Sequence, residues 1–220
     1  MRRFEDKVVV VTGGGSGIGA SIAERFHAEG AKVIIAGRDA AKLETQKAKI
    51  GGDKVRAKTC DVAKADDLEA LIAFAVAEFG RLDVLVNNAG SGMLGRVTTL
   101  DPKTWHEVIA TDLDSVFYAT RFAVPHLQKT GGSIINIASI CGVAADPGFS
   151  AYNAAKAGVI NATRSFALEL AQSGVRVNVV SPGLISTPST DQTPGPIRDI
   201  WHNLIPMRRA GKVEEISGMV

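Results

Sequence analysis

The run KVVVVT at Lys7 to Thr12 leads without interruption into Gly13-Gly14-Gly15-Ser16-Gly17-Ile18-Gly19. A short, unbroken β-branched run suits a strand buried on both faces. Beyond the glycines, Ile18, Ile22, Ala23 and Phe26 recur on one helical stripe, and Gly30 ends the pattern. The predicted order is strand, glycine turn, helix. Glycine serves such a turn twice: it adopts backbone angles that a Cβ resists, and it lets a diphosphate approach the main chain. The helix that follows offers free N–H groups and a positive dipole end to the same anion. The glycines fit two frames, G-x-G-x-x-A through Gly15, Gly17 and Ala20, or T-G-x-x-x-G-x-G through Thr12, Gly13, Gly17 and Gly19.

The same alternation continues along the chain. Strands are expected at Lys7 to Thr12, Lys32 to Ala36, Lys54 to Thr59, Leu82 to Val86, Ser133 to Ala138 and Arg176 to Val180, with amphipathic helices between them. Right-handed βαβ units then give an α/β, doubly wound parallel sheet covered by helices on both faces. With 220 residues and 45% hydrophobic content, the expectation is one domain, residues 1–220. Residues 186–210 begin with the turn-rich stretch STPSTDQTPGP and continue with Ile197, Ile200, Trp201 and Leu204 at helical spacing. They read as a surface excursion or as a lid over a ligand.

Composition narrows the function classes. Twenty-five Lys and Arg against 23 Asp and Glu leave a formal charge of +2, which gives no reason to expect nucleic acid or an anionic membrane as a partner. Cys60 and Cys141 form no C-x-x-C pair, and His27, His106, His126 and His202 are scattered, so no metal site is expected. The absence of a long apolar segment at the start and of any membrane-length run leads to the expectation of a cytoplasmic protein.

The chemistry is concentrated in Tyr152-Asn153-Ala154-Ala155-Lys156. Residues four apart share a helix face, so an ammonium at Lys156 is expected beside the phenol of Tyr152, favouring its ionised form. Ser139 lies upstream across a strand. It is not the nucleophile of a serine hydrolase, since no G-x-S-x-G surrounds it and no His lies in a supporting place. Topology gives an independent check, because ligands of open α/β sheets bind at the carboxyl ends of the strands. Gly13, Arg38, Asp61, Asn88, Ser139 and Pro182 each follow one of the six expected strands.

Taken with Asn87-Asn88-Ala89-Gly90, Ser139, Tyr152, Lys156, and Pro182-Gly183 followed by Thr187, the T-G-x-x-x-G-x-G frame resembles the short-chain dehydrogenase/reductase family from about Lys7 to the last residue. The resemblance implies a Rossmann fold, a nicotinamide cofactor, and an oxidoreductase that interconverts a ketone or aldehyde and an alcohol. Ser139, Tyr152 and Lys156 would be catalytic, with Tyr152 as proton donor or acceptor, Ser139 holding the substrate oxygen, and Lys156 bonding the nicotinamide ribose. Gly13, Ser16, Gly17, Ile18 and Gly19 would form the phosphate turn. Asp61 and Val62 would flank the adenine, although Asp61 also reads as a local cap. Asn88, with Ala89 and Gly90, would lie beside the adenosine ribose, and Pro182, Gly183, Ile185 and Thr187 would hold the nicotinamide.

Arg38 at the end of the second strand suits a 2′-phosphate, and Gly37 stands where NAD-preferring relatives place an acid, so NADP(H) is expected ahead of NAD(H), with NAD(H) still accepted. Asp39 reads as a helix cap. The family also implies a homodimer or homotetramer joined through the helices within Asp101 to Gln128 and Ala151 to Ser173.

The chain departs from the family pattern in two places. Asp112 occupies the position of the fourth active-site residue, usually Asn. The expectation is that it is tolerated through its main-chain carbonyl, the alternative being a carboxylate that pairs with Lys156. The ending IPMRRAGKVEEISGMV stops where relatives continue to one further strand, so a C-terminal edge strand is expected to be missing.

Met93, Leu94, Val143, Ala144, Phe149, Ile197 and Trp201 suggest an apolar substrate pocket. Gln128-Lys129-Thr130 and Gln172-Ser173 lack the basic clusters associated with carrier-protein docking, which favours a free carbonyl substrate over the alternative of a 3-oxoacyl-(acyl carrier protein) reductase. A nucleotide-binding regulatory protein without turnover is the other alternative.

Overall fold

The computed structural model describes residues 2–193 and 195–220, and only the backbone of Pro196 and Ile197, so the Ile197 pocket expectation lies outside the described residues. The valine run forms β1 (Val8–Thr12), which is buried along its length. It is flanked by β2 (Lys32–Gly37) and β4 (Val84–Asn87), and the sheet is completed by β3 (Val55–Thr59), β5 (Ser133–Ile137) and β6 (Arg176–Val180). All pairings are parallel and the order is β3-β2-β1-β4-β5-β6. This is a Rossmann-type sheet whose strand order reverses between β1 and β4, where a crevice opens beyond the strand ends.

The two-residue period of each strand separates two cores. Val8, Val10, Ile34, Leu85, Ile134 and Val177 face one side, where they meet Leu68, Leu71, Ala119, Ala123 and Leu127 from α3 (Ala65–Phe79) and α5 (Ser115–Thr130). Val9, Val11, Val33, Ile35, Val84 and Val86 face the other, against Ile22, Ala23, Phe26 and Leu43 from α1 (Gly17–Ala28) and α2 (Ala40–Ile50). Each fully buried Val or Leu contributes roughly 1.5–3 kcal/mol relative to exposure, which makes this two-sided burial the dominant organising force. The helix list closes with α4 (Pro102–Ile109), α6 (Ser150–Leu170), α7 (Gly195–Leu204) and α8 (Val213–Ser217).

Strand boundaries follow the expectation closely, with one informative exception. The fourth strand begins at Val84 rather than Leu82 because the Asp83 carboxylate accepts the Val8 N–H at 3.0 Å and binds Lys7 and Arg81. That side chain ties β1 and β4 together at the end opposite the crevice. Strands β3 and β6 are the two edges of the sheet, and α8 packs on α1, with Ser21 and Ser217 hydroxyls 2.9 Å apart. The ends of the 186–210 excursion are joined by the Ile185–Gly211 bridge, Ser186 N–H donating to the Gly211 carbonyl at 2.8 Å.

Candidate active site

At the carboxyl end of β1 the chain turns through Gly13 at φ 66° and enters α1 through Gly17 at φ 55°, left-handed angles that exclude most side chains. The turn is held from β4. Thr12 Oγ1 accepts the N–H groups of Asn88 and Ala89 at 3.0 and 3.1 Å, and the Asn88 amide donates to the Thr12 carbonyl at 2.9 Å. A Cβ on Gly19 would strike that amide and the Gly13 carbonyl. Asn88, expected beside the adenosine ribose, therefore holds the glycine turn in shape through its side-chain amide. Ser16 precedes α1 with an extended backbone, is exposed, and makes no side-chain cap bond to the first N–H groups of the helix.

On the adenosine side, Arg38 is exposed and makes no ion pair or hydrogen bond among the described residues. Asp39 caps α2, accepting from Lys42 N–H at 3.0 Å, as its position implies. Asp61 accepts the Ala63 N–H at 3.2 Å, so its carboxylate acts as a turn cap, while the Val62 side chain is buried in the first core cluster.

Ser139 and Tyr152 come from different elements. Ser139 follows β5, and its Oγ accepts the Cys141 N–H at 3.1 Å. Tyr152 and Lys156 project from the first turns of α6, whose rotation is fixed by a buried polar chain: Asn87 donates to Asn136, and Asn136 to Thr163, each at 2.9 Å. Together with Ile18, Asn88, Gly90, Pro182, Gly183, Ile185 and Thr187 they line one cavity of about 610 Å³ at the crevice. Gly13, Ser16, Gly17, Gly19, Arg38, Asp61, Val62 and Ala89 do not line it. Thr187 lies against Gly17, where a Cβ would come within 3.3 Å of its methyl, so the glycine turn and the 186–210 excursion meet at that point.

The electrostatics differ from the expectation for Tyr152. Lys156 Nζ lies 5.5 Å from the Tyr152 ring centroid, but it donates to the Ile137 carbonyl at 3.1 Å and pairs with Asp112 Oδ1 at 3.2 Å. The Asp112 carboxylate is thus engaged with Lys156, the alternative to simple toleration. Burial, then the Asp112 charge, push the Tyr152 phenol up to about 12, against the opposing pull of the Ser139 hydroxyl. Burial likewise raises Asp112, and Lys156 opposes that shift.

Of the apolar residues expected around the substrate, Leu94, Phe149 and Trp201 line the cavity, joined by Ile140, Leu204 and Ile205. Met93, Val143 and Ala144 are not part of the lining. Residues missed in the sequence include Thr12, the Ile137 carbonyl, Ser91, whose N–H donates to Asp112 Oδ2 at 2.9 Å, and Asp146, which accepts from the Cys141 thiol at 3.2 Å. Thr12 had a sequence signal, since it opens the T-G-x-x-x-G-x-G frame; the main-chain groups had none. Among the described residues there is no cluster of three or more potential metal ligands, and no helix is long and apolar enough to cross a membrane.

The features that fit a dinucleotide are local: positive-φ glycines and a helix start without a side-chain cap at the turn, and beside them a cavity of about 610 Å³ lined by Ile18, Asn88 and Tyr152. The family model of the short chain dehydrogenases matches residues 7–195. A meso-2,3-butanediol dehydrogenase of Serratia marcescens is 40% identical over 220 residues, covering 99% of this chain and 87% of that protein. A 3-oxoacyl-(acyl-carrier-protein) reductase of Thermotoga maritima is 37% identical over 221 residues, covering 99% and 90%. An uncharacterized oxidoreductase of Mycobacterium bovis is 39% identical over 215 residues, covering 97% and 87%. With this geometry and these relatives, the chain belongs to the short-chain dehydrogenase family and is a nicotinamide-dependent oxidoreductase that interconverts a carbonyl compound and an alcohol.

Proposed function

We propose that this protein reduces a small, free ketone or aldehyde, using NADP(H) ahead of NAD(H), with Tyr152 as the proton donor. The observation that carries this reading is the convergence of Ser139, Tyr152 and Lys156 on one cavity with the nicotinamide-side residues Ile185 and Thr187. When bound, a reduced nicotinamide supplies the hydride. Ser139 orients the substrate oxygen through a hydrogen bond, and Tyr152 gives its phenolic proton to that oxygen as negative charge develops there. Lys156, held by the Ile137 carbonyl, has donor capacity left for a ribose hydroxyl. Trp201, Leu204 and Ile205 of the 186–210 excursion line the cavity, which supports its role as a lid that would exclude water from the reacting oxygen.

The preference for NADP(H) rests on Arg38. Its guanidinium is exposed and without a protein partner among the described residues, and Gly37 places no carboxylate against a phosphate there. A free substrate is favoured by the lining: apart from Lys156, Asp146 is the only charged side chain on the cavity wall among the described residues, and an acid suits hydroxyl-bearing substrates better than anionic ones. The name of the Serratia relative points the same way, towards a vicinal diol or its hydroxyketone. A second reading follows from the name of the Thermotoga relative, a carrier-bound 3-oxoacyl group.

The test is reduced-nucleotide oxidation measured against hydroxyketones, simple ketones, aldehydes and a 3-oxoacyl thioester. Turnover with the free carbonyl compounds well above that with the thioester is expected. Preferential use of the thioester would overturn the substrate reading, and inactivity with every carbonyl would overturn the reductase reading.

A further inference from the structure

Beneath the phenol lies an ion pair with almost no access to water: the Asp112 side chain is 0% exposed and that of Lys156 is 4%. Asp112 sits in a five-residue π-helical turn, Ala110–Asp114, between α4 and α5. Such a turn inserts one residue into the helical ladder and re-aims a side chain. Oδ2 accepts the Ser91 N–H at 2.9 Å, while Oδ1 is buried with no hydrogen-bond partner and lies 3.2 Å from Lys156 Nζ as an ion pair. Gly90 closes the arrangement, since a Cβ there would run into Asp112 Oδ1 and come within 3.2 Å of Lys156 Nζ.

Opposite charges this close act at a distance as a dipole, not as a cation. The titratable groups facing Tyr152 are Asp112 from the π-turn, Lys156 from its own helix, and Cys141 from the turn after β5, with Asp146 bonded behind Cys141. Lys156 is the only cation among them.

We propose that Asp112 is a positioning residue that cancels the Lys156 charge beneath the phenol, keeping Tyr152 a protonated donor and setting the site kinetically towards carbonyl reduction. The catalytic consequence rests on the reductase reading above; the electrostatic one does not. In reduction, the substrate oxygen takes the phenolic proton and solvent returns one to the phenolate. This direction draws on the form that dominates at neutral pH. Alcohol oxidation needs the phenolate, which is scarce at neutral pH when the neighbouring ammonium is neutralised, so its rate should climb about tenfold per pH unit over a wide alkaline range. The raised phenol value noted above agrees with this arrangement.

The chain has two tyrosines, so Tyr118→Phe leaves Tyr152 as the only phenol to titrate. The experiment follows tyrosinate absorbance against pH in the nucleotide-free Tyr118→Phe protein, with and without Asp112→Asn, while circular dichroism monitors folding. Asparagine has nearly the same volume and keeps an acceptor for the Ser91 N–H, but removes the charge.

The midpoint is expected to fall by about one to three pH units in Asp112→Asn, and Asp112→Ala should move it in the same direction. A midpoint unchanged by either replacement overturns the proposal. So does a midpoint below about 10, the free tyrosine value, in the protein that retains Asp112.

The same substitution should move the alkaline limb of alcohol oxidation down in pH by a matching amount. Equal loss in both directions would mean a merely structural role. Failure to turn over any carbonyl would remove the reductase reading and leave the titration result standing.

Discussion

Arg38 and Asp39 are adjacent, exposed and opposite in charge, yet they have different duties. Asp39 spends its carboxylate on the Lys42 N–H and begins α2, while Arg38 has no protein partner among the described residues. A charge-assisted bond to a 2′-phosphate contributes roughly 1.5–3 kcal/mol. Arg38→Asp is accordingly expected to weaken NADPH binding by about ten- to a hundredfold and to bring NADH ahead of it. Titrating both nucleotides against both proteins checks this, and a wild type that binds NADH more tightly would refute it. Single residues were legible in the sequence where their type is dictated by chemistry, as with Tyr152 and Ser139. The pairing of Lys156 with Asp112 was legible only as the alternative to simple toleration, and its bond to the Ile137 carbonyl was not legible, because a main-chain group carries no residue signature.

Helix α6 brings Tyr152 and Lys156 to the cavity, and its setting depends on polar groups that helical periodicity does not reveal. The Thr163 hydroxyl accepts from Asn136 and donates to the Val159 carbonyl at 2.7 Å, which links α6 to β5 and, through Asn87, to β4. Thr163→Val keeps the shape but leaves a buried amide donor unpaired, so a loss of about 1–3 kcal/mol in denaturant unfolding is expected. A variant as stable as wild type would show that α6 does not depend on this chain. Strands and helices were readable because an unbroken Val or Ile run and a 3.6-residue stripe reflect burial directly. The π-turn at Ala110–Asp114 was not, since its extra residue interrupts a helical pattern without changing its composition.

At the scale of the whole molecule, anchoring and chemistry occupy opposite ends of the sheet. Asp83 sits at the amino end among Lys7, Arg81 and the Val8 N–H. Burial opposes its ionisation, but the Arg81, Val8 and Lys7 bonds together hold its carboxyl below the usual range. Its folded pKa being lower than the unfolded value of about 3.9, the stabilisation is complete above that pH and is lost as pH falls through the folded value. Asp83→Asn should therefore lower stability at neutral pH by about 1–3 kcal/mol and flatten the acid limb of the stability profile, without changing nucleotide affinity. Unfolding curves between acid and neutral pH would show it, and an unchanged acid limb would count against it.

Outside the crevice, Phe117 is 46% exposed and Leu168 80%, on α5 and α6 respectively. Those two helices are proposed as the contact between copies of the chain. Light scattering at low concentration should give a dimer or tetramer, and a monomer would exclude the contact. The six strands and their parallel, doubly wound arrangement were legible from the alternation of apolar runs and amphipathic segments; their order across the sheet came from the structure. The cavity wall was only partly so, since Met93 and Leu94 are neighbours in sequence and only Leu94 lines it.

The most direct test of the central claim, that Tyr152 is the proton donor of a nicotinamide-dependent reductase, is to measure nucleotide affinity and carbonyl reduction in parallel for wild type and Tyr152→Phe. The substitution removes one hydroxyl and little volume. Affinity should change little, while turnover with the best carbonyl substrate falls by about a hundred- to ten-thousandfold, the contribution of one general acid. A Tyr152→Phe protein that reduces that substrate at the wild-type rate would contradict the claim.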